Sequence, residues 1–196
     1  VFRDAMIGYQ EALAKLGYAM LPLYALALDL PANYFDPFFT RPTWWTRNTY
    51  YPAVESNDNQ FGISPHSDHG FITLLPMSNV SGLEILSQKG DWIPAVPVEN
   101  GIIINTGEFL NRWSNGRFLA TPHRVIPPVE DRYSMAMFFN PNPDTSYSFT
   151  HNGFKVYYSF DHQYSITINH VKIKIDFNNY PTNKAYHNRK IIGEQI

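Results

Sequence analysis

The chain has no cysteine and few charged residues. None of its 196 residues is cysteine, which excludes disulfide bridges, thiolate metal sites and cysteine nucleophiles within it. A metal ion would therefore have to be held by histidine and carboxylate side chains. The lack of cysteine also fits a cytoplasmic protein, and this is the location that we expect.

Basic clusters and long apolar runs are missing as well. The 15 Lys and Arg residues nearly balance the 17 Asp and Glu residues. Because the basic residues are scattered along the chain, no nucleic-acid partner is indicated. The longest apolar stretch, residues 18–30, is interrupted by Pro22 and Asp29, and it is too short to span a bilayer. We therefore expect neither nucleic acid nor a membrane as a partner, and the oligomeric state stays open.

Aromatic residues, in contrast, are abundant, with 14 Phe, 13 Tyr and 4 Trp. This composition favours a β-rich domain with a roomy apolar interior, which would suit a mostly apolar small-molecule substrate. At the start of the chain, hydrophobic spacing predicts a helix over residues 2–16 that stops at Gly17. A second short helix is predicted over residues 23–30.

A series of short strands is predicted from Thr46 onward. Segments of strand-like composition are separated by Gly, Pro, Asn and Asp, and they lie at residues 47–51, 71–75, 83–86, 92–96, 102–105, 123–126 and 132–140. One helical turn is predicted at 108–113, and alternating residues at 165–168 and 171–175 predict strands in the tail. Many short strands at this spacing indicate a mainly β fold with flanking helices, either a sandwich or a jelly roll.

Two histidines and one aspartate have the spacing of a metal site. His66 and Asp68 are two residues apart, so in an extended chain both side chains project to the same side and can bind one ion. His123 must reach that ion from a distant strand, which a rolled two-sheet barrel can supply. Two imidazoles and one carboxylate on one face of a metal are typical of non-haem Fe(II) oxygenases. The alternative is that His66 and Asp68 lie in a surface loop and that His123 only caps a turn.

Arg132 and Ser134 form a second polar pair further along the chain. They too are two residues apart on a predicted strand, and they therefore share a face. The planar guanidinium group matches a carboxylate, and the serine hydroxyl adds another hydrogen-bond donor. Such a pair can hold an anion beside the metal. The alternative is an edge-strand arginine that forms an ion pair with Glu130 or Asp131.

Together these segments resemble the plant-type Fe(II)/2-oxoglutarate-dependent dioxygenases, the family that includes isopenicillin N synthase. The resemblance covers roughly residues 2–145, and the motifs keep their order. Besides the residues named above, it rests on Tyr50-Tyr51-Pro52, Gly82-Leu83-Glu84-Ile85, Asn105-Thr106-Gly107 and Phe138-Phe139-Asn140-Pro141. It implies a double-stranded β-helix, which is a form of jelly roll, with helices packed outside.

The resemblance also implies the cofactors and the roles of single residues. The implied ligands of Fe(II) are His66, Asp68 and His123. The residues implied to bind the co-substrate 2-oxoglutarate are Arg132, Ser134 and Tyr51. Phe138 shares a face with Arg132 and would border the substrate pocket, unless it belongs to the ordinary core. The implied reaction uses O2 and couples oxidative decarboxylation of 2-oxoglutarate to hydroxylation, desaturation or demethylation of a small organic substrate.

We expect three segments along the chain. These are a helical lead-in at residues 1–45, a jelly-roll oxygenase domain at 46–145 and a divergent C-terminal extension at 146–196. Members of the family usually carry further residues before the first helix, and this N-terminal part is expected to be absent here. Relatives also often have Asn where Thr49 stands, so the contact of that residue with 2-oxoglutarate is not carried over.

Two other functions stay open at this point. One is an oxidase resembling isopenicillin N synthase that uses no 2-oxoglutarate, in which Arg132 and Ser134 would bind a carboxylate of the substrate. The other is a truncated, inactive jelly roll, or one whose site holds Zn²⁺, that serves as a binding protein. Succinate formation during turnover separates the main hypothesis from the oxidase, and joint binding of Fe(II) and 2-oxoglutarate separates it from the binding protein.

Overall fold

The computed structural model describes residues 1–55, 60–151, 154–159, 164–168 and 171–175. The helices in this part of the chain are α1 (Phe2–Ala27) and α2 (Glu108–Trp113), with a 3₁₀ turn at Asp36–Phe38. The strands of the first two sheets are β1 (Thr43–Tyr51), β2 (Ile63–His66), β3 (Ile72–Pro76), β4 (Leu83–Leu86), β5 (Trp92–Pro94), β6 (Ile102–Thr106), β7 (His123–Val125) and β8 (Arg132–Asn140). The strands of the third sheet are β9 (Ser146–His151), β10 (Phe154–Ser159), β11 (Tyr164–Ile168) and β12 (Val171–Ile175).

Two four-stranded antiparallel sheets enclose a cavity. The first sheet has the strand order β1-β8-β3-β6, and the second has the order β2-β7-β4-β5. Residues of both sheets line the same cavity, as expected when a chain winds back and forth between two sheets that face each other. The predicted double-stranded β-helix is thereby confirmed. The third sheet, in the order β12-β11-β10-β9, is built from consecutive antiparallel pairs.

Strand β8 shows how the sequence divides residues between the cavity and the core. Successive side chains of a strand point to opposite faces of the sheet. The residues of β8 that line the cavity are Arg132, Ser134, Ala136 and Phe138. Met137 and Phe139 point to the other face, where both are fully buried against helix α1 and its neighbours. Arg132 and Ser134 therefore face the cavity together, since they are two residues apart on the strand.

Most of the buried phenylalanines lie behind the first sheet and not around the cavity. Phe35, Phe71, Phe109 and Phe139 are fully buried in one cluster with α1. Many of their contacts are edge-to-face, such as Phe35 against Phe71 with ring centroids 5.2 Å apart, an arrangement that aromatic rings prefer. Among the described residues, the Phe, Tyr and Trp side chains that line the cavity are Tyr51 and Phe138. The abundance of aromatic residues therefore reflects this core more than the cavity, and the mostly apolar substrate stays a prediction.

Helix α1 is one continuous helix, so the predicted division into two helices is wrong. It runs through both Gly17 and Pro22 before it ends at Ala27. Proline removes one hydrogen bond from a helix interior, but Leu21 and Ala25 on either side of it are buried in the core. This packing keeps the helix intact across the proline. Gly17 does not end the helix, and it lies so close to the ring of Phe139 that a Cβ there would be 2.8 Å from Cγ of the ring.

We expect Gly17→Ala to lower the free energy of unfolding by about 1 kcal/mol. A Cβ at this position would lie 2.8 Å from Cγ of Phe139, and overpacking a core costs roughly 1–3 kcal/mol. That cost exceeds the ~1 kcal/mol gained when alanine replaces glycine in a helix. The control is Gly8→Ala, since a Cβ there meets nothing within 4 Å and should stabilise the protein. Urea unfolding measures both variants, and two stabilising changes would contradict the packing role of Gly17.

Within the described residues, none of the helices combines the length and the apolar character that crossing a bilayer requires.

Candidate active site

The two histidines and the aspartate of the sequence motif meet at the cavity. His66 ends β2 and His123 begins β7, and the two residues are direct partners in the second sheet. Asp68 follows two residues after His66, and its Oδ1 lies 3.6 Å from Nε2 of His66 and 3.6 Å from Nε2 of His123. The three candidate ligand atoms all lie within 4.8 Å of one another. Ligands that bind one ion at roughly 2.1 Å lie about 3 to 4 Å apart, so the spacing fits a single metal ion.

Backbone carbonyls orient both imidazole rings so that their Nε2 atoms face Asp68. Nδ1 of His66 lies 2.9 Å from the carbonyl oxygen of Ser64, and Nδ1 of His123 lies 3.2 Å from that of Thr121. Because a carbonyl only accepts hydrogen bonds, each Nδ1 carries the hydrogen. Each Nε2 is then left with its lone pair, which is the state that binds a metal.

Two neighbouring side chains hold the carboxylate of Asp68. Its Oδ2 accepts hydrogen bonds from Oγ1 of Thr73 at 2.5 Å and from Nδ2 of Asn105 at 2.8 Å. The other oxygen, Oδ1, is the one that faces both histidines. Asp68 is only 7% exposed, so the alternative of a surface loop is wrong. A buried carboxylate oxygen that faces two imidazole lone pairs fits a divalent cation between them.

Helix α2 fixes the backbone of the segment that contains Asp68. The amide of Glu108 donates to the carbonyl of Asp68 at 2.7 Å, and the amide of Phe109 donates to those of His69 and Gly70. Gly107 permits this approach, because a Cβ there would lie 2.1 Å from the carbonyl oxygen of Gly70. The Asn105-Thr106-Gly107 motif therefore supports Asp68 through both its side chain and its backbone.

We expect Asn105→Ala to weaken the binding of a divalent metal about 10- to 100-fold, the usual effect of removing a group that orients a ligand. Thr73→Val should act in the same direction, because it also frees Oδ2 of Asp68. Anaerobic calorimetric titration with Fe(II) measures the change. The control is Asn111→Ala, which removes an amide hydrogen bond to the carbonyl of Phe118 outside the site. Wild-type affinity in both the Asn105 and the Thr73 variant would contradict this role.

Arg132 is a buried cation without an anionic partner among the described residues. It is 3% exposed, and its Nε donates to the carbonyl of Val80 at 3.2 Å. Its Nη1 is buried without any hydrogen-bond partner. Burial lowers the pKa of the Arg132 guanidinium, and Tyr51 partly offsets this shift. A buried charge is normally paired, so the geometry fits a bound carboxylate at Nη1.

The proposed ion pair between Arg132 and its acidic neighbours does not form. Strand β8 lies between β1 and β3, so Arg132 is not on an edge strand. The carboxylate of Asp131 instead accepts hydrogen bonds from the hydroxyl of Tyr50 at 3.0 Å and from the amide of Ala53 at 2.9 Å. The alternative interpretation of this arginine is therefore wrong.

The other residues predicted for the co-substrate lie beside Arg132. The guanidinium carbon of Arg132 is 5.1 Å from the ring centroid of Tyr51. Ser134 and Phe138 line the same cavity, and Ser134 pairs with Thr49 across strands β8 and β1. The structure thus brings all seven predicted site residues to one cavity. His69, which adjoins Asp68 in the sequence, is exposed.

Several residues at the site were not predicted from the sequence. Thr73, which binds Asp68, lies on a predicted strand, but alternation alone does not reveal which of its faces meets the cavity. Asn105 belongs to a recognised motif without having been given a role. Arg47 and the apolar side chains of Leu75 and Ile103 also line the cavity, and their places follow only from the strand register.

Chemically, the cavity combines three side chains that could hold a metal ion with a buried guanidinium group that could hold an anion. Three protein ligands on one side of an ion leave further coordination positions open. The cavity has a volume of about 750 Å³ including its open mouth, and it borders both sites. An acid that binds the metal at one end and Arg132 at the other fits this arrangement.

Comparison with known proteins gives a consistent result. Residues 43–141, half of the chain, match the sequence model of the 2OG-Fe(II) oxygenase superfamily. A probable iron/ascorbate oxidoreductase of Dictyostelium discoideum is 33% identical over 159 residues, which cover 72% of this chain and 44% of the relative. A 2-oxoglutarate-Fe(II) type oxidoreductase of Emericella nidulans is 34% identical over 148 residues, which cover 73% of this chain and 42% of the relative.

A solved structure supports the same relationship. The crystal structure of a full-length Neurospora crassa protein in complex with alpha-KG and thymine has a TM-score of 0.72 and 34% identity to this chain. The match covers 78% of this chain and 49% of that protein, so the chain spans less than half the length of these three relatives. Enzymes of this superfamily use Fe(II), 2-oxoglutarate and O2. By its matched residues and its fold, the chain belongs to the 2OG-Fe(II) oxygenase superfamily.

Proposed function

We propose that this chain is a non-haem iron oxygenase that couples oxidative decarboxylation of 2-oxoglutarate to hydroxylation of a small organic substrate. One observation carries the proposal: a candidate metal site and a buried guanidinium group without an anionic partner among the described residues border the same cavity. Either feature alone would also fit a purely structural role. A cavity that offers both matches a co-substrate with a metal-binding end and an anionic end.

The metal is assigned to His66, Asp68 and His123. The hydrogen bonds at both Nδ1 atoms keep each Nε2 available, and those at Oδ2 of Asp68 leave Oδ1 available. The protein thereby presents three ligand atoms in a fixed orientation before the metal binds. Binding requires neutral imidazoles and an ionised carboxylate, so we expect the affinity for Fe(II) to fall in acid.

The distal carboxylate of 2-oxoglutarate is assigned to Arg132 and Ser134. The guanidinium is desolvated and held through Nε, while Nη1 has no partner among the described residues. A carboxylate placed there gains a charge-assisted hydrogen bond in a site shielded from water. Tyr51 packs beside the guanidinium group and narrows this end of the cavity.

Much of the remaining wall of the cavity is apolar. Its aliphatic side chains come from both sheets, and they are Ile63, Leu75, Leu83, Ile85, Ile103, Val125 and Ala136. When bound, Fe(II) and 2-oxoglutarate supply the activation of O2 that no side chain of this protein can supply. A dry, apolar wall limits side reactions of reactive species. We assign Phe138 to the part of this wall that borders the substrate.

The relatives favour 2-oxoglutarate over the oxidase alternative. The Neurospora crassa structure contains alpha-KG together with thymine, a small molecule. A small organic substrate is accordingly proposed here as well. The segments 1–45, 46–145 and 146–196 and the cytoplasmic location stay predictions.

Succinate formation tests the proposed function. The chain is loaded with Fe(II), supplied with 2-oxoglutarate and O2, and incubated with a panel of small organic compounds. We expect at least one compound to increase succinate release and to yield a product heavier by one oxygen atom. Product formation without succinate would support the oxidase alternative, and a full panel without succinate release would contradict the proposal.

A further inference from the structure

We propose that Arg47, together with the stacked rings of Trp45 and Phe138, selects a substrate that carries an anionic group beside a planar ring. The inference rests on the proposed function, because it names the substrate class for the same cavity. It concerns the mouth of the cavity, on strands β1 and β8.

The register of β1 and β8 places four side chains in a compact group on the cavity face. Trp45 pairs with Phe138, and Arg47 pairs with Ala136. Residues two apart on a strand share a face, so Trp45 and Arg47 lie side by side, as do Phe138 and Ala136. Arg47 lines the cavity although its side chain is exposed. It therefore lies where the cavity opens to solvent.

Arg47 has no ion pair and no side-chain hydrogen bond with any described residue. Four other arginines do lie within 4.0 Å of a carboxylate: Arg41, Arg112, Arg117 and Arg124. The single carboxylate among the described residues that line the cavity is Asp68, which the metal site already uses. Since Arg132 is assigned to the co-substrate, Arg47 is left as a second cation that faces the cavity. An anionic group of the substrate is its complement.

The aromatic pair supplies a surface for a ring next to this cation. The rings of Trp45 and Phe138 stack with centroids 4.1 Å apart and an interplanar angle of 23°. Trp45 is 53% exposed, so part of its surface is free for a further ring. Side chains two apart on a strand are separated by about 7 Å. Ala136, which pairs with Arg47, has a small side chain. This leaves room for a compact aromatic acid between Arg47 and the ring pair.

Equilibrium binding without turnover tests this selection. Protein loaded with Mn(II), with and without 2-oxoglutarate, is titrated by calorimetry with two matched pairs of compounds: phenylacetate against phenylacetamide, and cinnamate against cinnamamide. We expect the acid of at least one pair to bind roughly ten-fold more tightly than its amide, as a charge-assisted hydrogen bond predicts.

Variants then assign the preference to single residues. Arg47→Gln should remove the preference by weakening the acid alone, while Arg47→Lys should keep most of it. Trp45→Ala should weaken the acid and the amide by the same factor, roughly two- to ten-fold. The control is Arg41→Gln, which removes an equal charge from an exposed arginine and should leave the preference unchanged.

Three results from the acid, amide and 2-oxoglutarate titrations of the wild type and Arg47→Gln would overturn the inference. They are the absence of an acid preference in both pairs, an equal loss for acid and amide in Arg47→Gln, and a loss of 2-oxoglutarate affinity in that variant. Unchanged binding of both the acid and the amide to Trp45→Ala would mean that the ring of the ligand does not pack on Trp45. That result would overturn the planar ring as part of the proposed substrate. Titration of the Mn(II)-loaded protein with 2-oxoglutarate alone is a separate measurement. It reveals a failure of the proposed function even when the acid preference holds.

Discussion

Replacing His123 with alanine is expected to lower the affinity for Fe(II) by more than about 100-fold, which exceeds the effect of removing a supporting residue. His123 is proposed to contribute one of three ligand atoms, and its Nε2 lies 3.6 Å from Oδ1 of Asp68. Two remaining ligands cannot hold the ion on one face. Succinate formation should be lost together with the metal. Anaerobic titration with Fe(II), followed by the succinate assay, measures both effects.

His69→Ala is the matched control for this change. His69 adjoins Asp68 but is exposed, and the geometry assigns it no place among the ligand atoms. We expect its variant to bind Fe(II) like the wild type. If His69→Ala lost the metal while His123→Ala kept it, the assignment of ligands would be wrong.

Arg132→Ala is expected to raise the KM for 2-oxoglutarate about 100-fold, with Fe(II) affinity nearly unchanged. Removing one partner of a buried charge pair costs roughly 2–5 kcal/mol, and about 3 kcal/mol corresponds to this factor. The guanidinium group contacts the carbonyl of Val80 and the ring of Tyr51, and neither residue is a proposed metal ligand. Kinetics at varied 2-oxoglutarate concentration measure the change in KM, and a separate titration measures the affinity for Fe(II).

Two further variants distinguish an anion-binding arginine from a structural one. Arg132→Lys keeps the charge but loses the planar fork, so its KM should lie between those of the wild type and the alanine variant. Ser134→Ala removes one neutral donor, and we expect a several-fold smaller increase than in Arg132→Ala. Loss of Fe(II) binding in Arg132→Ala would mean that the residue supports the fold instead of the co-substrate.

Much of the fold was predictable because strand period and turn residues are local signals. Strand β8 was predicted at 132–140 and β4 at 83–86, the bounds that the structure has. Strand β2 was missed, because Ile63–His66 contains a proline and pairs irregularly with β7. The error in α1 has a different origin. A glycine and a proline usually mark helix ends, but here the packing of Gly17 on Phe139 outweighs that local preference.

For the candidate site too, local spacing predicts some features, and others depend on the tertiary structure. The spacing of His66 with Asp68, and of Arg132 with Ser134, predicts which side chains share a face. It does not predict that Thr73 and Asn105 hold Oδ2 of Asp68, because this depends on how β3 and β6 align. The burial of Arg132 without a counter-ion is likewise a tertiary property, and it is what supports the assignment of an anion to this position.

The central claim is that one cavity binds both Fe(II) and 2-oxoglutarate. Anaerobic titration with these two compounds tests it most directly. We predict a weak visible charge-transfer band that requires both additions and is absent in His123→Ala. In Arg132→Ala the same band should appear only at about 100-fold higher 2-oxoglutarate, in line with the loss of a buried charge pair. Absence of the band in the wild-type protein, or an unchanged band in His123→Ala, would contradict the account.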